Sequence, residues 1–149
     1  MTPGPLIVVS GPSGCGKSTV LRRLLDRGRF PLRLSVSATT RPARENEQDG
    51  VHYHFWDRDR FLGAIAAGEF LEWAEVHGNL YGTLRQEVEP YRQQGLGVLL
   101  DIDVQGFVQV RTRTDVSLSV FMTAPSLEEL ERRLRGRRSE DEARVRLRL

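Results

Sequence analysis

Cysteine is nearly absent: Cys15 is the single one in 149 residues. One thiol excludes an internal disulfide framework and a multi-cysteine metal site, and makes the cytosol the expected compartment. Lysine is equally scarce. Of 22 basic residues all but Lys17 are arginine, so Lys17 marks a position suited to a compact ammonium rather than a planar fork. No apolar run approaches the ~20 residues that span a bilayer. The N-terminal stretch Met1-Thr-Pro-Gly-Pro5 lacks the positive region of a secretory signal. No membrane association is expected. The net charge is only +2, although residues 132–148 carry eight arginines against three acids. Those arginines alternate with acids at helical spacing, which points to a charged helix face or an anion clamp rather than to nucleic acid. What remains is an ordinary globular composition, 39% hydrophobic and 28% charged, of one-domain length.

The hydrophobic pattern alternates between strand and helix. Leu6–Ser10 is a short apolar run rich in β-branched residues, expected as a buried strand. A glycine-rich turn, 11–16, leads into a helical stripe over Ser18–Arg27, closed by Gly28. Leu34–Ala38 reads as a second strand, Thr39–Gly50 as a loop, and Val51–Phe55 as a strand. Residues 57–67 read as a helix with Asp57 or Asp59 as N-cap. Phe70–Val76 fits helix or strand, and Gly78–Thr83 reads as a loop. Leu84–Gln94 reads as a helix ended by Gly95, and Gly97–Ile102 as a buried strand. Val104–Arg113 helix, Val116–Met122 strand and Ser126–Arg135 helix follow, the last opened by a Ser126–Glu129 capping box. Glu140–Leu149 is again helical in pattern. The alternation predicts a single α/β domain with a parallel sheet flanked by helices. Its core falls at about 1–34 and 84–132. Residues 35–83, rich in aromatics, read as an inserted, mostly-β subdomain.

Gly11-Pro-Ser-Gly-Cys-Gly-Lys-Ser18 satisfies G-x-x-x-x-G-K-[ST] at each fixed position, between an expected strand and an expected helix. Glycines allow successive backbone N–H groups to curl around phosphate oxygens, and the helix N-terminus adds its positive end. The phosphate-binding set is therefore Gly11, Pro12, Ser13, Gly14, Cys15, Gly16, Lys17, Ser18 and Thr19. Lys17 supplies a mobile charge, and the Ser18 hydroxyl is placed to ligate Mg²⁺. Asp101, at the end of an apolar strand, is the matching carboxylate, holding the metal directly or through water. Asp103 would point the same way if the strand continued. The base-reading motif N-K-x-D of GTPases is absent, and Cys15 is read as filling a variable loop position.

Five further segments speak to the phosphoryl acceptor. They are Ser35-Val-Ser-Ala-Thr-Thr-Arg-Pro-Ala-Arg44, Asp49-Gly-Val-His-Tyr-His-Phe55, Phe70-Leu-Glu-Trp-Ala-Glu75, Gly78-Asn-Leu-Tyr-Gly-Thr83 and Leu99-Leu-Asp-Ile-Asp-Val-Gln-Gly106. With the phosphate loop, this set resembles guanylate kinase, from Leu6 to Leu149. The resemblance implies transfer of the ATP γ-phosphoryl to GMP with Mg²⁺ as cofactor. It assigns the GMP phosphate to Arg41, Arg44, Tyr53 and Tyr81. Arginine suits a dianion because its planar fork donates two parallel bonds. The same resemblance gives guanine to Glu72, whose carboxylate can accept from both N1–H and N2–H₂, with Ser37 and Thr83 reading the rest and Asp103 a candidate further contact. Adenine presents no such donor pair, and discrimination of about 10⁴ is physically reasonable.

The arginine-rich end matches the family's lid, about 133–149, with Arg137 and Arg148 as the best positional matches for a role on the transferring phosphoryl group and Arg138 as the adjacent rival. Lys17, Arg41, Arg137, Arg148 and Asp101 are thus the expected catalytic set. Members of the family continue past the helix holding Arg148, so the expectation is a fragment or a truncated chain that binds GMP and turns over poorly. The rivals are a related phosphate-loop kinase with another phosphorylated acceptor, and a guanylate-kinase-like interaction module. Glu72 speaks against the first and the intact loop against the second. Trp56 and Trp73 are expected in the core rather than stacked on a base, and His52, His54 and His77 lack a metal-ligand partner set.

Overall fold

A computed structural model of the chain describes residues 2–136. Its first sheet has four parallel strands: β1 (Leu6–Ser10), β2 (Leu32–Leu34), β7 (Gly97–Asp101) and β8 (Leu118–Phe121), in the order β2-β7-β1-β8. β1 is paired on each side, which explains its uninterrupted apolar run. Leu6, Val8, Val98 and Leu100 face one way, into a cluster with Ile102 and Val110; Val9 and Leu99 face the other, against Leu21, Leu24 and Leu25 of α1 (Lys17–Asp26). β8 is an edge strand and all four of its residues are exposed.

The second sheet is built from β3 (Ala38–Thr39), β4 (His54–Phe55), β5 (Phe70–Val76) and β6 (Asn79–Leu84), in the order β4-β3-β6-β5. β5 and β6 form an antiparallel hairpin, and α2 (Arg58–Ala66) packs Phe61 and Ala64 on it. Asp57, not Asp59, caps α2, accepting from the Arg60 backbone N–H at 2.8 Å. Trp56 and Trp73 pack against this second core, as expected of them.

Several expectations need correction. The strand expected over Leu34–Ala38 is two strands in different sheets: Leu34 ends β2 and Ala38 begins β3. The alternation of apolar residues is genuine, but Leu34 pairs with β7 at an exposed position, whereas Ala38 is buried in the second sheet. Gly78–Thr83 is mostly strand β6 rather than loop, and Val51–Phe55 contributes only its last two residues to a strand. The helix expected over Leu84–Gln94 begins later. Leu84 closes β6, Arg85–Glu87 is a 3₁₀ turn, and α3 spans only Glu89–Gln93. Pro90 is the cause, since proline fits the first helical turn and not an interior. In α5 (Leu127–Arg135) the capping box is half made. Glu129 N–H donates to Ser126 Oγ at 3.1 Å, but the Glu129 carboxylate turns to Arg132 and Arg133.

The two sheets are joined by α4 (Val104–Arg113), which lies along β5. β5 is the edge of its sheet, and the side chains of α4 complete its backbone bonding. Gln109 accepts from Trp73 N–H at 3.2 Å and donates to Trp73 C=O at 2.7 Å, while Arg113 donates to Leu71 C=O at 2.9 Å. An exposed edge is thereby covered. No helix among the described residues is long and apolar enough to cross a membrane.

Candidate active site

A cavity of about 480 Å³ opens where the two sheets meet, at the C-terminal ends of β1 and β7. Ligands of parallel α/β sheets bind at this end of the strands. The core side of the cavity contributes Ser13, Ser18, Asp101 and Asp103; the second sheet and its loops contribute Ser37, Arg41, Arg44, Tyr53, Glu72 and Tyr81. Thr83 does not line it. Thr19 is exposed and lies outside the lining. Arg137, Arg138 and Arg148, with the expected helix over 140–149, lie outside the described residues. A second depression, of about 380 Å³ between Trp56, Arg60, Glu69 and Gln86, holds none of the expected residues.

The loop after β1 has the backbone the motif requires. Gly11 and Gly16 adopt φ of +147° and +98°, and a Cβ on Gly11 would lie 2.1 Å from the Met122 carbonyl oxygen. Only glycine fits there. Lys17 Nζ donates to Gly11 C=O at 2.7 Å and Pro12 C=O at 3.4 Å, holding the ammonium over its own loop. Cys15 is buried. Ser18 Oγ donates to Asp101 Oδ2 at 3.5 Å, which brings the hydroxyl and the carboxylate together. Burial raises the Asp101 pKa, against the pull of Lys17 and Ser18.

On the opposite wall Glu72 is only 5% exposed. Its Oε1 accepts from the buried Thr83 hydroxyl at 2.7 Å, so Thr83 reaches the cavity through Glu72. Burial pushes Glu72 up to about 7, with the Asp103 charge adding to the shift and the Thr83 hydrogen bond opposing it. α4 comes very close to this carboxylate: a Cβ on Gly106 would lie 2.7 Å from Glu72 Oε2. The glycine of the Asp-Val-Gln-Gly run is thus what lets α4 approach. Asp103 differs from its expected placement, because β7 ends at Asp101 and the strand does not continue. Asp103 caps α4, accepting from Gly106 N–H at 2.8 Å, and still lines the cavity.

Arg41 and Arg44 reach the cavity from the loop after β3. Tyr53 and Tyr81 lie edge-to-face at 6.1 Å, and burial raises the Tyr53 pKa. Sequence reasoning does not single out Glu47. It forms a two-point pair with Arg41, Nη1–Oε1 at 2.8 Å and Nη2–Oε2 at 2.9 Å, and accepts from Arg44 N–H at 2.9 Å. Nothing in the sequence points to Glu47 over Glu45, which lies nearer both arginines along the chain. Val76 and His77, at the turn between β5 and β6, also line the cavity, with His77 at φ +52°.

One cleft thus brings a phosphate loop, a strand-end carboxylate, a buried carboxylate and two arginines onto facing walls. The family model for guanylate kinase matches residues 4–149. The chain belongs to the guanylate kinase family. It is 54% identical over 143 residues to the guanylate kinase of Alkalilimnicola ehrlichii, covering 96% of this chain and 70% of that protein. To the guanylate kinase of Rubrobacter xylanophilus it is 51% identical over 150 residues, covering all of this chain and 78% of that protein. Among solved structures, guanylate kinase from Anaplasma phagocytophilum superposes with a TM-score of 0.78 at 36% identity, covering 99% of this chain and 70% of that one.

Proposed function

We propose that this guanylate kinase family member transfers the γ-phosphoryl group of ATP to GMP, giving ADP and GDP. One observation carries the reading. A buried carboxylate, Glu72, shares a cleft with two arginines on one wall, and a phosphate loop closes the other. Guanine offers two adjacent donors to Glu72, with Ser37 and Thr83 completing the base site. The GMP phosphate falls to Arg41, Arg44, Tyr53 and Tyr81. Residues 11–19 hold the ATP phosphates, and Lys17 bridges toward the transferring group.

The acceptor oxygen of GMP is already anionic, so no general base is required. Catalysis then consists of alignment and of charge stabilisation around the moving phosphoryl group. Closure of the cleft over both substrates would limit transfer to water. Arg137 and Arg148 remain the candidates for added charge on that group. Ser18 Oγ and Asp101 are hard oxygen donors that already meet at 3.5 Å, a pair suited to Mg²⁺ directly or through water. The metal would offset charge on the donor phosphates. A nucleotide substrate pair and one buried thiol, Cys15, fit the cytoplasm.

The test is calorimetric titration of the chain with GMP, AMP, UMP and CMP, followed by a phosphoryl-transfer assay with ATP and Mg²⁺. Selective binding of GMP, with GDP formed, is expected. Equal or absent binding of all four by a folded chain overturns the acceptor assignment. GMP binding without turnover leaves the acceptor side standing and refutes transfer by these 149 residues.

A further inference from the structure

Arg41 spends only part of its hydrogen-bonding capacity. A guanidinium has five N–H donors on two usable edges. The outer edge, Nη1 with Nη2, is taken by the two oxygens of Glu47, and the remaining Nη1 proton goes to Pro42 C=O at 2.8 Å. The inner edge, Nε–H with the second Nη2–H, has no partner among the described residues. Arg41 lies 5.4 Å from the ring centre of Tyr53, on the cavity wall. Glu47 is itself pinned by Arg44 N–H.

We propose that Glu47 is a positioning residue for the acceptor phosphate, holding Arg41 by its outer edge so that the inner edge is presented to two phosphate oxygens. This rests on the acceptor reading given above and adds a residue to it. Glu47 lines the same cavity, so the alternative is that it competes with the phosphate for Arg41; the unpartnered inner edge instead leaves room for carboxylate and phosphate to be held together. Two effects oppose each other. The Glu47 charge repels a dianion nearby, but a free arginine loses rotamer freedom on being fixed, and Glu47 has already fixed it. Arg41 holds Glu47 down to about 2, so the pair is intact throughout the neutral range.

The experiment is calorimetric titration of the chain and of Glu47→Gln with GMP and with guanosine, each repeated in an Arg41→Ala background. Glutamine preserves the shape of Glu47 but accepts only one of the two Arg41 bonds. GMP affinity should fall about tenfold in Glu47→Gln while guanosine affinity changes by less than about twofold, and the effect should vanish when Arg41 is absent. Glu47→Ala should behave alike, and thermal unfolding of each variant verifies that it is folded. Unchanged or tighter GMP binding overturns the proposal, as do equal losses for GMP and guanosine or a loss that persists without Arg41. If the unaltered chain shows no preference for GMP, the functional reading fails and the role of Glu47 falls with it. If it prefers GMP and Glu47→Gln matches it, only the role of Glu47 is refuted.

Discussion

Replacing Glu72 by glutamine should stabilise this protein and disable its base recognition at once. Glu72 is 5% exposed, and its pKa rises from 4.5 to about 7, chiefly because burial penalises the ionised form. Below pH 4.5 the carboxyl is protonated in the folded and unfolded chains alike and the shift has no effect on stability. As pH rises from 4.5 to 7 the unfolded chain ionises first, and the folded state loses about 3 kcal/mol, a loss that is complete above pH 7. The glutamine side chain would be neutral throughout and could still accept from the Thr83 hydroxyl. Urea unfolding from pH 4.5 to 8 should therefore show Glu72→Gln equal to the parent at the acid end and more stable by up to about 3 kcal/mol at pH 8. The same change sets an amide N–H₂ against the N1–H and N2–H₂ donors of guanine, weakening guanosine binding by roughly a hundredfold or more. Guanosine is the ligand of choice because it carries no titrating phosphate. In the parent, guanosine binding near pH 6.5 should release protons, read as a binding enthalpy that depends on the ionisation enthalpy of the buffer. A variant no more stable than the parent at pH 8, with the same pH slope, would refute the claim that Glu72 is held in a poorly compensated site.

Three further changes probe other parts of the argument. Gly82→Ala places a Cβ 2.6 Å from the Phe70 ring and 2.9 Å from the Glu72 carbonyl oxygen; it should cost about 1–3 kcal/mol in urea unfolding, and a neutral result would mean the hairpin relaxes freely. Gln109→Ala removes two bonds to the Trp73 backbone, for a loss of about 1–3 kcal/mol and faster hydrogen exchange at the Trp73 amide. Asp101→Asn should weaken Mg²⁺-dependent ATP binding by about 10–100-fold with guanosine affinity unchanged in calorimetry; a parallel loss of guanosine would place Asp101 in the base site instead.

The parts of the fold that sequence made legible are those in which local pattern and final burial agree. β1 and β7 are apolar on each face and are buried on each face. Leu21, Leu24 and Leu25 of the α1 stripe point into one cluster, while Val20 is exposed. The misreadings fall where a residue's partner comes from elsewhere in the chain. Leu34 and Ala38 look like one strand because each is apolar, yet they belong to different sheets. Pro90 is a usable sequence signal for the late start of α3, since it fits only the first turn. In the site, Lys17 and Ser18 stand at a motif spacing that phosphate chemistry makes recognisable, and Arg41 and Arg44 are found through the family resemblance. Glu47 and Gln109 hold other residues rather than lining a recognisable motif, and their partners are set by a loop conformation and by the approach of α4 to β5.

The cleft also holds two acids whose ionised form is disfavoured. Glu72 and Asp103 are acids on facing elements, and Gly106 lets α4 press against Glu72 where a side chain would hold it off. Asp101 is likewise raised by burial beyond what Lys17 and Ser18 compensate. Two acids outside the cleft are paired within the protein: Glu87 is shared by Arg33 and His54, and Glu129 by Arg132 and Arg133. A carboxylate whose ionised form is disfavoured gains most from a ligand that brings donors or positive charge to it. On the proposed reading, guanine at Glu72 and a divalent cation at Asp101 would supply those two things. On this reasoning the folded chain sacrifices stability at two acids so that the ligand completes them, which is why the Glu72→Gln variant is expected to be both the more stable protein and the poorer binder.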